Sequence, residues 1–127
     1  MNELKNYNLE DLISITVTYG GYFGGTEYRK VSFWGEEIKV DRIGYNGFEP
    51  YEDDTLYEGK TKETLIAALK ELNLDRWKYS YSNPDILDGT QWSVSIEFPE
   101  DHIVRFGGSN AFPKTFFKFL KVMEIEK

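Results

Sequence analysis

The stretch from Asp88 to Phe117, DGTQWSVSIEFPEDHIVRFGGSNAFPKTFF, decides the fold. Trp92, Val94, Ile96 and Phe98 alternate with Gln91, Ser93, Ser95 and Glu97. A period of two is the mark of a strand with one buried face. Asp88-Gly89 is turn chemistry at its entry, Pro99-Glu100-Asp101 reverses the chain, and His102 to Phe106 returns as a second strand. Gly107-Gly108-Ser109-Asn110 then leaves that strand, the glycines letting the chain turn sharply and Asn110 tying the corner through its side chain. Pro113 suits the first position of a helix, where its missing N–H costs nothing. Phe116, Phe119, Leu120 and Met123 follow at helical spacing, a stripe that has to be buried.

Working outward, Ile13, Ile15, Val17 and Tyr19 alternate with Ser14, Thr16 and Thr18, a further half-buried strand. The run Gly20 to Gly25 breaks it, Tyr28 to Trp34 forms a second strand with Val31 and Phe33 on one face, and Gly35-Glu36 connects to a third, Glu37 to Ile43, with Ile38 and Val40 inward. Tyr45 to Gly59 reads as a loop. Thr61 is placed to cap a helix whose stripe is Leu65, Ile66, Ala68, Leu69 and Leu72, with Asn73-Leu74 as a left-handed stop. Trp77 to Tyr81 reads as a short extended piece, and Asn83-Pro84-Asp85 as a turn. Residues 1–11 read as a short helical turn or a loose arm. The expected architecture is α+β in the order β-β-β-α-β-β-α: one domain over residues 1–127, with a mostly antiparallel five-stranded sheet and two helices on one face. Val31 to Gly47 and Ser95 to Ala111 echo each other as strand, tight turn, strand and glycine loop before a helix. A diverged ββα duplication and chance both account for this.

The chain has 127 residues, a net charge of −7, no cysteine, and aromatics at 17%. This length supports one core without staples. Absence of cysteine excludes disulfides, thiolate catalysis and a thiolate zinc site. No apolar run approaches the ~20 residues of a membrane span, and no leader pattern opens the chain. The expectation is a cytoplasmic protein without cofactor or membrane contact. Nucleic acid is not an expected partner, because phosphate binding needs a basic face; another protein with a basic surface is.

Each chemical candidate has a structural counterpart. His102 is the one histidine, and no nucleophile elbow accompanies any serine, so a triad has little to build on. Asp85 and Asp88, with His102, are the residues a hydrolase would use, yet Asp88 before Gly89 also reads as a turn residue. Asp53-Asp54 reads as a solvated pair. Arg105 with the Gly107, Gly108, Ser109 and Asn110 corner can hold an anion through backbone N–H groups ahead of a helix, or can simply turn the strand. Tyr19, Tyr22, Phe23, Trp34, Tyr45, Phe48, Tyr51 and Tyr57 gather around glycine-rich turns in the first half, which suits a recognition surface and equally suits covering an open sheet face.

Asp88, Gly89 and Trp92, followed by Gly108-Ser109-Asn110-Ala111-Phe112-Pro113 and Phe116, form a pattern. It resembles small bacterial proteins of unknown function with an Asp-Gly-x-x-Trp … Gly-Ser-Asn-Ala-(Tyr/Phe)-Pro signature. The resemblance covers the last third of the chain and, more weakly, the first strand. It departs in having Phe106-Gly107 before the motif. It implies an α+β architecture and no activity, cofactor or catalytic residue. The function expected from all of this is a non-enzymatic, protein-binding accessory protein of bacterial or phage origin, in its sharpest form an inhibitor of immunity or anti-defence type. Its interaction residues are Tyr19, Tyr22, Phe23, Trp34, Tyr45, Tyr51, Asp53 and Asp54. A small-molecule or anion binder using Arg105 and the 107–110 corner is the first alternative, and a hydrolase using Asp85, Asp88 or His102 the second.

Overall fold

The structure is a computed structural model and describes residues 2–21, 25–43, 57–85 and 89–125. Strands β1 (Ser14–Gly21), β2 (Gly25–Trp34) and β3 (Glu37–Ile43) precede helix α1 (Lys62–Lys70). Strands β4 (Ser80–Ser82), β5 (Thr90–Phe98) and β6 (His102–Ser109) precede helix α2 (Phe116–Val122). Among the described residues the strands form one mixed sheet in the order β3-β2-β1-β5-β6-β4. The fold is therefore α+β.

Three expectations are corrected. The sheet has six strands rather than five among the described residues: Ser80–Ser82, overlapping the end of the Trp77–Tyr81 stretch read only as an extended piece, pairs parallel to β6 through Tyr81 and Gly108. Three residues are too few for an alternation to register in sequence. Helix α2 begins at Phe116 and not at Pro113, because the 113–115 segment forms a turn whose Pro113 carbonyl accepts from the Phe116 N–H. The N-terminal residues are not a loose arm. Asn2 is buried, its amide donates to the Leu74 and Trp77 carbonyls at 2.8 Å each, and its backbone N–H donates to Asp75 O. One buried asparagine thereby docks the 3₁₀ turn at Glu3–Asn6 onto the one at Leu74–Arg76.

Register explains the two faces. Ile15 and Val17 pair with Val31 and Arg29 on one side and with Ile96 and Val94 on the other. Opposed residues share a face, so these side chains form one inward row, and the buried residues of α1 and α2 join the same core. Helix α1 starts where the sequence places it. The Thr61 and Thr64 side chains each accept from the other's backbone N–H, a capping box worth about 1 kcal/mol. It ends at Lys70, and the turn that follows closes at Asn73, whose φ of 53° is left-handed, with Leu74 buried behind it.

The inward alternation continues past Val31 to two charged residues. Arg29 is 0% exposed and pairs with Glu27 at 2.8 Å. Its Nη1 donates to the Met123 carbonyl at the end of α2, and the Tyr57 hydroxyl donates to the same oxygen. Among the described residues the Arg29 Nε has no hydrogen-bond partner. Breaking such a pair strands a buried charge. Arg29→Met is therefore expected to lower the unfolding free energy by about 3–5 kcal/mol in urea denaturation, and adding Glu27→Leu should recover much of that loss. A loss under about 1 kcal/mol from Arg29→Met would contradict this anchoring role.

Burial pushes the Tyr57 phenol well above its ordinary value, against the opposing pull of the Arg29 charge. The folded state therefore keeps a proton that the unfolded chain releases near pH 10, so this contribution is complete below about pH 10 and is lost as pH rises further. Urea titrations from about pH 8 to 11 should show a shallower alkaline loss in Tyr57→Phe than in the parent.

Candidate functional site

Gly107 to Ser109 form the end of strand β6, Asn110 follows it, and the hydrogen bonds of this corner are used within the fold. The Gly107 N–H donates to Tyr79 O, the Ser109 carbonyl accepts from the Asn83 N–H, and the Asn110 N–H donates to Thr90 O. The Ser109 hydroxyl accepts from the Gln91 amide at 2.8 Å. The corner does not feed a helix directly, since α2 starts six residues after Asn110. Arg105 projects, exposed, from the opposite face to the helices.

The two glycines do not supply positive φ. Among the described residues only Gly35 and Gly59 do so, and the left-handed residue at the corner is Asn110, φ 58°. Gly108 supplies space. An added Cβ there would lie 2.3 Å from Trp92 Nε1 and 2.8 Å from the Ala111 carbonyl, the very groups that bond to each other at 2.9 Å. Across from the corner, a Cβ on Gly89 would overlap the Asn110 side chain at 1.5 Å. The stretch is thus a slot for the Trp92 indole. That indole packs against Phe116 at 4.5 Å and Trp77 at 6.0 Å between ring centroids.

The opposite sheet face differs in chemistry. One row across it reads Asp41, Lys30, Thr16, Ser95 and Arg105, and the next reads Lys39, Ser32, Ser14, Glu97 and Ile103. The Thr18 and Ser93 hydroxyls bond to one another, and Ser14 donates to Glu97 at 3.0 Å. No described helix covers this face. Trp34 stands at its β2–β3 end, 69% exposed, with the Lys39 ammonium 3.9 Å from its ring centre. Lys39 did not stand out in the sequence as a candidate, although the period-two reading of β2 and β3 places both residues on this face.

The other expected site residues do not converge on Trp34. Tyr19 is half-buried on the helix side, its ring 6.0 Å from Phe116. Tyr22, Phe23, Tyr45, Phe48, Tyr51, Asp53, Asp54 and Asp88 lie outside the described residues. Asp85 is exposed in a turn capped by Asn83, and His102 packs beside Tyr7 at 5.6 Å. The length of β6, roughly 23 Å at about 3.3 Å per residue, separates His102 from Ser109, the residue paired with Ser82 just ahead of Asp85. His102 and Asp85 thus sit at opposite ends of the strand. Among the described residues no cluster of three or more metal-ligating side chains occurs, and no helix is long and apolar enough to cross a membrane.

If Gly108 is a slot for Trp92, Gly108→Ala should lower stability by about 1–3 kcal/mol. Gly107→Ala should cost well under that, because its added Cβ meets only the Trp92 carbonyl at 3.4 Å. Equal losses at the two positions, measured by denaturation, would remove the slot. Comparison with protein families, with curated proteins and with solved structures returned no match.

Proposed function

We propose that the protein is a non-enzymatic binding module that engages another protein through the helix-free face of its sheet, with Trp34 as the anchor. The observation that carries this reading is the exposure of Trp34, 69%, at the margin of a face made mostly of hydroxyl groups and alternating charges, with Ile103 at its far side. A large aromatic ring ringed by polar residues is the composition of an interface hot spot with its rim, and tryptophan is among the residues most enriched there. The Lys39 ammonium over the ring holds it in place, so little side-chain entropy remains to be lost on docking.

The surrounding rows are too polar for a permanent apolar dimer, which favours a separate partner that comes and goes. The net charge of −7 favours one with a basic surface, because opposite fields raise the encounter rate. Inhibition of that partner, in a bacterial or phage immunity or anti-defence setting, is the most specific form of the proposal.

A photoreactive residue placed at the exposed position Glu37, beside Trp34, is expected to cross-link one predominant protein in the native host, and the same residue at the helix position Lys118 is not. The captured protein, once purified, should bind the parent chain with an affinity that Trp34→Ala lowers at least about tenfold, near 1.4 kcal/mol. The far-UV circular dichroism should stay unchanged, since Trp34 lies outside the core. Equal cross-linking from both positions, or an unchanged affinity in Trp34→Ala, would sink this reading.

A further inference from the structure

A cleft of about 490 Å³ opens at the opposite edge of the sheet from Trp34, between the segment Arg76–Tyr81 and the segment Phe112–Thr115. Its size falls within the range of small-ligand sites, roughly 300–1,000 Å³. Three cations line it, Arg76, Lys78 and Lys114, and among the described residues no acidic side chain does. That is unusual in a chain carrying −7. Elsewhere Arg29, Lys60 and Lys70 each meet a glutamate. Arg76, Lys78 and Lys114 are exposed and form no ion pair among the described residues.

The walls are aromatic and fixed. Trp77 is buried, and its indole N–H donates to the Thr115 hydroxyl at 2.9 Å, which in turn donates to Leu72 O at 2.8 Å. The Tyr81 hydroxyl accepts from the Lys78 backbone N–H at 2.9 Å, and the half-buried Phe112 is stacked on Phe116 at 5.1 Å. Unpaired cations suit a phosphate group, whose oxygens accept charge-assisted hydrogen bonds. Half-buried rings held by their neighbours suit a planar group, because stacking on them needs little reordering.

We propose that this cleft binds a nucleoside phosphate, the phosphate meeting Arg76, Lys78 and Lys114 and the base lying against Tyr81 and Phe112. The proposal is independent of the Trp34 surface and concerns a small ligand, not a nucleic acid strand. Calorimetric titration of the purified chain with adenosine monophosphate, guanosine monophosphate, inorganic phosphate and adenosine tests it. At least one nucleotide is expected to bind, to raise the melting temperature, and to bind at least about tenfold more tightly than either phosphate or adenosine alone. Lys78→Glu and Lys114→Glu should each weaken that binding by about tenfold or more, and Lys118→Glu, on α2 outside the cleft, should not. The substituted residues are exposed, so unchanged circular dichroism and melting temperature in ligand-free variants confirm intact folds. No nucleotide binding at millimolar concentration, binding that survives both charge reversals, or phosphate binding as tightly as the nucleotides would each overturn the proposal.

Discussion

A guanidinium with no exposure to water sits beneath the sheet, and the closing of the structure depends on it. Arg29 reaches from β2 to the last carbonyl of α2, where the Tyr57 hydroxyl also arrives, and Glu27 neutralises it from two residues away. A charge taken out of water is tolerated only where other groups replace its hydration. Here the replacements come from a strand, a helix end and Tyr57. Each is thereby fixed relative to the others. The Lys60–Glu124 pair at 2.6 Å repeats the link between these segments at the surface, where screening makes it weaker.

At the other end of the sheet the same joining of helix to strand is apolar. Trp77 meets Phe106, Phe119, Trp92 and Phe116 at centroid distances between 5.4 and 6.0 Å, mostly edge to face. Such contacts add about 0.5–1.5 kcal/mol each beyond the area they bury. Both indole N–H groups stay satisfied, one by Thr115 and one by Ala111. The Gly-Gly-Ser-Asn corner makes room for this packing: a side chain at Gly108 would occupy the place of the indole.

The helices cover one sheet face and leave the other to hydroxyls, alternating charges and one exposed tryptophan. The two proposed sites, Trp34 with Lys39 and the cationic cleft beside β4, lie toward opposite edges of the sheet. Neither site uses His102 or Asp85, which stand far apart along β6.

The alternating runs of β1, β3 and β5, the Thr61 cap, the Asn73 stop and the α2 stripe were all legible in the residues, because each is a local pattern whose period or cap chemistry repeats within one element. The inward position of Arg29, two residues from Val31, was not drawn from the sequence, and what it binds could not be, since Met123 lies far along the chain. The same holds for β4, whose three residues become a strand only beside β6, and for Asn2, whose amide finds its carbonyls across more than seventy residues of sequence. Of the binding surfaces, the sequence offered Trp34 as one aromatic among many and the lysines of the cleft not at all. By itself the sequence determined the elements and the buried side of each, because hydrophobic periodicity is written locally. Only the tertiary structure decided which tryptophan faces water and which cations converge, because exposure and proximity are properties of elements brought together.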